Sequence, residues 1–186
     1  RQMCIRDSLY YRKDIGLNFI SRYESAGVSI DNGNSCINAI KNHVIQTYNS
    51  NVTSSFGSFS GEFKIGDITL VASIDGVGTK SVLCEDILGD KCYENLGKDL
   101  INHSINDILV QGAYPLFFLD YYGCSNLNIK NVQSFVKGLS DICTENNIVI
   151  LGGETAEMPN VYASKRTDLV GCIVGYKDDD LSLIHI

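Results

Sequence analysis

A strand-like run leads directly into a glycine-rich loop in the middle of this sequence. Residues 68–74 read Ile-Thr-Leu-Val-Ala-Ser-Ile, and residues 75–80 continue as Asp-Gly-Val-Gly-Thr-Lys. The short apolar run predicts a strand, and the two glycines let the backbone approach a ligand closely. Successive amides in such a turn can bind phosphate oxygens, Lys80 adds a positive charge, and Asp75 can bind a hard cation. The spacing matches neither the Walker A loop nor the dinucleotide fingerprint, so a plain structural turn is an equal alternative for this loop taken alone.

Outward from this loop, helical and strand-like patterns alternate. In chain order the predicted elements are an extended arm at 23–34, a helix of about 11 residues capped by Asn34 or Ser35, a loop at 49–61, strands at 68–74, 116–122, 148–151 and 169–176, and helices at 94–112 and 129–143. This order suits a sheet with helices packed against it, in a domain of α/β or α+β type.

Composition and charge exclude several classes of protein. The 186 residues are 44% apolar and 20% charged, with a net charge of −7, which argues against disorder and against a nucleic-acid surface. No apolar run approaches the roughly 18 residues that a membrane helix needs. Seven cysteines without a Cys-x-x-Cys pair predict reduced thiols. The first residues carry no secretory signal pattern, so we expect a cytoplasmic protein.

Two further polar motifs lie downstream of the loop. Asp99, His103 and Asn106-Asp107 follow one another three or four residues apart on the same predicted helix. This polar strip indicates either a solvated helix face or one that faces a ligand. The stretch Gly-Gly-Glu-Thr-Ala-Glu-Met-Pro at 152–159 follows a predicted strand. It suits a turn that presents metal ligands, or the first turn of a helix.

Taken together and in order, these motifs resemble the phosphoribosylformylglycinamidine cyclo-ligase family of purine biosynthesis, also called aminoimidazole ribonucleotide synthetases. The matching stretches are Tyr-x-x-Ala-Gly-Val-x-Ile-Asp-x-Gly-Asn at 23–34, the loop at 75–80, Asn-Asp-Ile-Leu-Val-Gln-Gly at 106–112, Pro-Leu-Phe-Phe-Leu-Asp-Tyr-Tyr at 115–122 and the stretch at 152–159. The resemblance covers residues 23–177. It departs from the family pattern at Asn160, where glycine is usual, and at His103, to which we assign no catalytic role.

The resemblance implies an enzyme, an ATP-dependent ligase that forms a C–N bond. In the implied reaction ATP phosphorylates the formyl amide oxygen of formylglycinamidine ribonucleotide. An internal nitrogen then closes the imidazole ring of aminoimidazole ribonucleotide, and ADP and phosphate leave. ATP and Mg²⁺ are the implied cofactors. Two alternatives stay open: an ATP-dependent small-molecule kinase or synthetase of the same superfamily, and a non-catalytic dimerisation or nucleotide-binding domain.

The resemblance also implies roles for individual residues. The implied catalytic residues are Asp75, Lys80 and Asp107; the implied magnesium ligands are Asp75, Asp107 and Glu154. The implied nucleotide contacts are Gly76, Gly78, Thr79 and Lys80, with Lys41 as a weaker candidate; those on the ribonucleotide side are Gly152, Gly153, Glu154 and Thr155. Asp120 and Tyr121 are expected to support the end of the sheet.

The family architecture implies that this chain is the amino-terminal half of an enzyme. Residues 23–177 would form the ATP-binding domain, with an α+β fold in which a layered, mixed sheet is backed by helices. Two copies would pair across a homodimer into a barrel-like core, and the carboxy-terminal domain would be missing. We interpret residues 1–22 as an extension and residues 178–186 as a truncated end, with 1–8 and 181–186 translated from cloning or adapter sequence. We expect neither nucleic-acid nor membrane partners, and little activity from this chain alone.

Overall fold

In the computed structural model, which describes residues 22–177, a five-stranded mixed sheet organises the chain. Its strands are β1 (Gly61–Ile65), β2 (Ile68–Gly76), β3 (Tyr114–Cys124), β4 (Val149–Glu157) and β5 (Thr167–Lys177). They lie in the order β1-β2-β5-β3-β4, and each neighbouring pair is antiparallel except β3 and β4, which are parallel. The predicted mixed sheet is confirmed.

The described residues also form five α-helices. They are α1 (Arg22–Ser25), α2 (Ile30–Ile45), α3 (Lys80–Leu88), α4 (Tyr93–Leu109) and α5 (Ile129–Glu145), and a 3₁₀-helix at Gly89–Cys92 joins α3 to α4. The core lies where α4 and α5 meet the sheet, and its fully buried side chains include Leu96, Leu100, Phe118, Phe135, Leu139, Leu169 and Ile173. Each such side chain contributes about 1.5–3 kcal/mol through burial, so this layer holds the fold together.

The opposite face of the sheet carries exposed apolar side chains. Ile74 on β2 is 73% exposed and Val149 on β4 is 57% exposed. Leu70 lies four residues before Ile74 on β2 and therefore points to the same face. Leu70 pairs with Tyr176 on β5, and paired residues point to the same side, so the apolar face extends across the sheet. An apolar sheet face of this kind is typical of a protein interface.

Two elements were not predicted from the sequence. The first is β1, whose first residue belongs to the predicted loop at 49–61; it forms because a two-residue turn, with Gly66 at a φ of 59°, returns the chain onto β2. The second is α3, which has no strong apolar stripe and directly follows the glycine loop. Both elements depend on contacts with neighbouring elements and not on a strong apolar periodicity of their own.

The first long helix begins earlier than predicted. The predicted extended arm at 23–34 is wrong, since α1 occupies its start and α2 begins at Ile30. Ser29, not Asn34 or Ser35, is the N-cap: its Oγ accepts a hydrogen bond from the amide of Asn32 at 3.1 Å. A serine cap satisfies one of the free amides of the first turn, which explains the earlier start.

The structure of residues 152–159 differs from both predicted structures, a turn and a helix start. β4 does not end at residue 151 but continues through Glu157, paired residue by residue with β3 after an irregularity at Phe118 and Leu119. Neither the turn nor the helix start is found there. Two adjacent glycines weaken a strand taken alone. Hydrogen bonds from parallel pairing with β3 compensate for this weakness.

The chain divides into two compact units, Arg1–Ser50 and Asn51–Ile186. Helices α1 and α2 belong to the first, whereas the sheet and α3–α5 belong to the second. The predicted domain at 23–177 contains parts of both, and its bounds stay a prediction. The predicted foreign segments, 1–8 and 181–186, lie outside the described residues. Within residues 22–177, no helix combines the length and the apolar character needed to cross a membrane.

Candidate nucleotide site

The glycine loop, residues 75–80, connects the end of β2 to the start of α3. Asp75 Oδ1 accepts a hydrogen bond from the amide of Gly76 at 2.7 Å, and Gly78 has a φ of 67°, which favours glycine. The side chain of Thr79 makes no capping hydrogen bond at the start of α3. The first amides of this helix therefore have no side-chain cap, and a helix N-terminus with such amides favours an anion.

The polar strip of α4 faces the glycine loop and β2. Asp107 Oδ2 accepts a hydrogen bond from Ser73 Oγ at 3.2 Å, and Ser73 lies on the same face of β2 as Asp75, about 7 Å along the strand. Two turns earlier on α4, Asp99 forms an ion pair with Lys80. This strip therefore contacts polar groups of β2 and α3, and a ligand-facing role for it stays a prediction.

Glu154 lies on the other side of the sheet from Asp75. Register pairs align Asp75 with Gly171, Asp120 and Gly153 in one row, and Gly76 with Val170, Tyr121 and Glu154 in the next. Neighbouring rows point to opposite faces, and three strand spacings separate β2 from β4 by about 14 Å. Within residues 22–177, no three His, Cys, Asp or Glu side chains form a group that could hold a metal. The three implied magnesium ligands are therefore not brought together, whereas Asp75 and Asp107 share one region.

The remaining implied residues lie at separate places. Gly152, Gly153 and Thr155 lie on β4 beside β3, where a Cβ on Gly153 would overlap Asp120. Lys41 is exposed on α2, in the other unit. Its nucleotide contact, like the ribonucleotide contacts on β4, stays a prediction.

The turn after β4 holds Asn160 in a left-handed backbone conformation. This residue has a φ of 69°, in the left-handed region that asparagine tolerates better than most residues. The turn brings Tyr162 to Tyr121, with their hydroxyl oxygens 2.8 Å apart. That hydrogen bond, with burial, raises the pKa of Tyr162 to about 12. Tyr121 is thereby fixed at the end of the sheet, in the row that contains Glu154.

From the sequence we placed Asp99 on the polar strip of α4 but assigned it no role at the site. In the structure it is the residue that contacts Lys80. Taken together, the glycine loop, Lys80 and the carboxylates of Asp75 and Asp107 offer amide donors, a cation and oxygen ligands side by side. Such a set suits the phosphates of a nucleotide and a hard cation.

Comparisons with known proteins identify the family of the chain. The family model for "AIR synthase related protein, N-terminal domain" matches residues 60–176. The chain is 43% identical over 162 residues to a phosphoribosylformylglycinamidine cyclo-ligase of Oleidesulfovibrio alaskensis, covering 84% of this chain and 45% of that protein. It is 36% identical over 193 residues to the trifunctional purine biosynthetic protein adenosine-3 of Chironomus tentans, covering 94% and 14%. The chain thus spans about half, or less, of the length of these relatives.

Solved structures share the fold at low identity. "AaThiL complexed with AMPPCP and TMP" aligns with a TM-score of 0.61 and 16% identity, covering 77% of this chain and 41% of that one. PurL of T. maritima, solved with ATP, aligns with a TM-score of 0.54 and 17% identity, covering 70% and 20%. Because the family model matches more than half of the chain, the chain belongs to the AIR synthase related family, within its N-terminal domain.

Proposed function

We propose that this chain is the nucleotide-binding, amino-terminal half of a cyclo-ligase that uses ATP to close the imidazole ring of formylglycinamidine ribonucleotide. The observation that carries the proposal is the glycine loop, bordered by Asp75, Lys80 and Asp107, in a chain 43% identical to a named cyclo-ligase. The relatives favour this reaction over another kinase or synthetase of the superfamily. The other half of the enzyme would be needed for turnover.

In the proposed reaction, the residues of this chain bind and orient the triphosphate. Amides of the glycine loop and of the first turn of α3 would donate to phosphate oxygens, and Lys80 would neutralise their charge. Lys80 can keep its ion pair with Asp99 while donating to phosphate, since its ammonium carries three protons. The transferred phosphoryl converts the formyl amide oxygen into a leaving group, and the attacking nitrogen is internal, so positioning supplies much of the acceleration.

The carboxylates near the loop fit a magnesium ion. Mg²⁺ is usually held by one or two carboxylates together with substrate phosphates, not by a cage of protein ligands. Asp75 and Asp107 supply two such oxygen donors on one face of β2, and bound Mg²⁺ would neutralise phosphate charge. Glu154 lies elsewhere on the sheet, so we assign it to the ribonucleotide side with Gly152, Gly153 and Thr155.

The proposed enzyme is a cytoplasmic homodimer. The exposed apolar face of the sheet, which includes Ile74 and Val149, supports pairing with a second copy. Two sheets packed through such faces would form the barrel-like core that the family resemblance implies. We expect no nucleic-acid partner, given the net charge of −7.

Nucleotide binding by Asp75→Asn tests the proposal. Isothermal titration of the chain with ATP and Mg²⁺ should show binding for the wild type, and a loss of affinity of at least about tenfold for the variant, because a charge-assisted contact is removed. In the complete reading frame, the same change should abolish ring closure dependent on ATP and Mg²⁺.

Asp67→Asn is the matched control, since Asp67 is an exposed residue in the turn at the other end of β2. It should bind ATP as the wild type does. Binding by Asp75→Asn equal to that of the control, or no binding by the wild type, would contradict the proposed site.

A further inference from the structure

Both sides of the glycine loop are attached to the beginning of β5. On the entry side, the amide of Val77 donates a hydrogen bond to Leu169 O at 2.9 Å. On the exit side, Ser81 Oγ donates to Gly78 O at 2.9 Å and lies 3.4 Å from Thr167 O. The first residues of β5 therefore contact the chain both before and after Gly78.

Thr167 contacts α3 a second time, one turn further along the helix. Its Oγ1 donates a hydrogen bond to Glu85 Oε1 at 2.5 Å. Ser81 and Glu85 are four residues apart and lie on the same face of the helix. One residue of β5 thus holds two successive turns of the helix that follows the glycine loop.

Glu85 is a buried carboxylate with several donors. Its side chain is 6% exposed, and besides Thr167 it accepts from Tyr93 Oη at 3.1 Å and from Arg166 Nη1 at 3.4 Å. Burial, followed by the charge of Glu85, raises the pKa of Tyr93 to about 12, so the phenol keeps its proton for this bond. A buried carboxylate that loses one of its donors destabilises the state that buries it.

Helix α3 needs such anchors. It has only nine residues and no side-chain cap at Thr79, and helices shorter than about 12 residues are marginal without tertiary contacts. Val82, Leu83, Ile87 and Leu88 are exposed, so apolar burial holds this helix only in part. Its polar contacts with Thr167 therefore carry much of its placement.

We propose that Thr167 and Glu85 are positioning residues for the glycine loop. They hold α3 against β5, so that the loop amides and Lys80 are in place before a nucleoside triphosphate binds. Preordering lowers the conformational entropy lost on binding and so strengthens it. The ligand in this inference rests on the proposed function, whereas the order of the loop is a property of the chain alone.

Thr167→Val tests the inference with two measurements on the 186-residue chain. The change removes the hydroxyl and keeps the shape of the side chain. Without ligand, amide hydrogen exchange at residues 76–81 should become about tenfold faster, and the affinity for ATP with Mg²⁺ should fall roughly five- to tenfold, as for a lost bond to a charged group. Thr167→Ser restores the hydroxyl and should return both values towards those of the wild type.

Thr53→Val is the matched control. Thr53 Oγ1 donates to Glu62 Oε2 at 3.0 Å, and Glu62 is 9% exposed and also paired with Lys177 at 2.8 Å. The control thus removes the same kind of bond far from the loop. It should lower the free energy of unfolding without changing exchange at residues 76–81.

The inference is overturned if Thr167→Val exchanges like the wild type at residues 76–81, or if Thr53→Val speeds that exchange as much. Failure of the wild type to bind ATP would contradict the proposed function instead. The exchange comparison would still decide whether Thr167 positions the loop.

Discussion

At the residue scale, the charged groups of this chain fall into two kinds. Lys80, Asp99 and Asp107 lie beside the glycine loop with polar partners and partial exposure, so a ligand can compete for them. Glu85 and Glu62 are buried and each accepts hydrogen bonds from at least two side chains, which suits them to hold elements together. Exposure and partners, not charge alone, separate candidate ligand contacts from structural anchors.

Asp120 on β3 is a third case, because burial raises the pKa of its carboxyl. Its charge also contributes, after burial, to raising the pKa of Cys143 on α5 to about 11. The folded pKa of Asp120 lies above the unfolded value, so the folded state holds the proton more tightly. This contribution favours folding at low pH and is lost as pH rises from the unfolded to the folded pKa.

We therefore expect Asp120→Asn to be more stable than the wild type at neutral pH, with an advantage that shrinks as the solution is acidified. Urea unfolding at about pH 7.5 and about pH 4.5 measures the difference. Asp67→Asn, in an exposed turn, should show no such dependence. An advantage for Asp120→Asn that is equal at both pH values would contradict the assignment.

At the scale of elements, α4 and α5 cross through glycines. A Cβ on Gly138 would overlap the carbonyl of Glu94, and one on Gly97 would overlap that of Phe135. Around this crossing, Glu94 and Lys98 on α4 form ion pairs with Lys137 and Asp141 on α5. These surface pairs are worth little, so the close backbone approach and the apolar core decide how the helices pack.

Gly138→Ala should lower the free energy of unfolding by about 1–3 kcal/mol, because the added methyl group meets rigid backbone and not a movable side chain. Chemical denaturation followed by circular dichroism measures this change. Gly33→Ala on α2 is the control, since nothing lies within 4 Å of its added Cβ, and alanine should leave stability unchanged or higher. Equal effects at the two positions would refute the role of the crossing.

Prediction of elements from the sequence succeeded where periodicity is strong and failed where it is weak. The stripes of α4 and α5 and the apolar runs of β2, β3 and β5 were found within a few residues of their observed bounds. Three elements were not found from the sequence: β1, α3 and the second half of β4. β1 forms by pairing with β2, α3 is held by contact with Thr167, and the second half of β4 forms by pairing with β3. The contacts of α3 and β4 join residues far apart in the chain, which no local window contains. The β1 hairpin is local, but its strand carries no strong apolar pattern of its own.

At the scale of the whole molecule, the open sheet face predicts self-association. The wild-type chain should sediment as a dimer at micromolar concentration, and Ile74→Lys, which places a charge at a side chain 73% exposed on this face, should sediment as a monomer. Ile129→Lys is the matched control: Ile129 is 77% exposed at the start of α5 and should leave the dimer intact. A monomeric wild type, or equal dissociation by both variants, would contradict pairing through the sheet.

By itself, the sequence determined the family and the type of fold. The order and wording of motifs at 75–80, 106–112 and 152–159 are properties of the chain, and they specify the AIR synthase related family without coordinates. The helix-backed mixed sheet follows from the same resemblance and from apolar periodicity. The roles of Asp75 and Lys80 stay predictions from the same motif, in which each lies within two residues of a glycine.

Only the tertiary structure decided which distant residues meet. Packing of the helices against the sheet and against each other brings Asp107 to Ser73, Asp99 to Lys80 and Glu85 to Thr167. Strand order and register place Glu154 in a row of the sheet that faces away from Asp75. The physical reason is that a one-residue change of register moves a side chain to the opposite face of a sheet. Motif spacing along the chain carries no information about that choice.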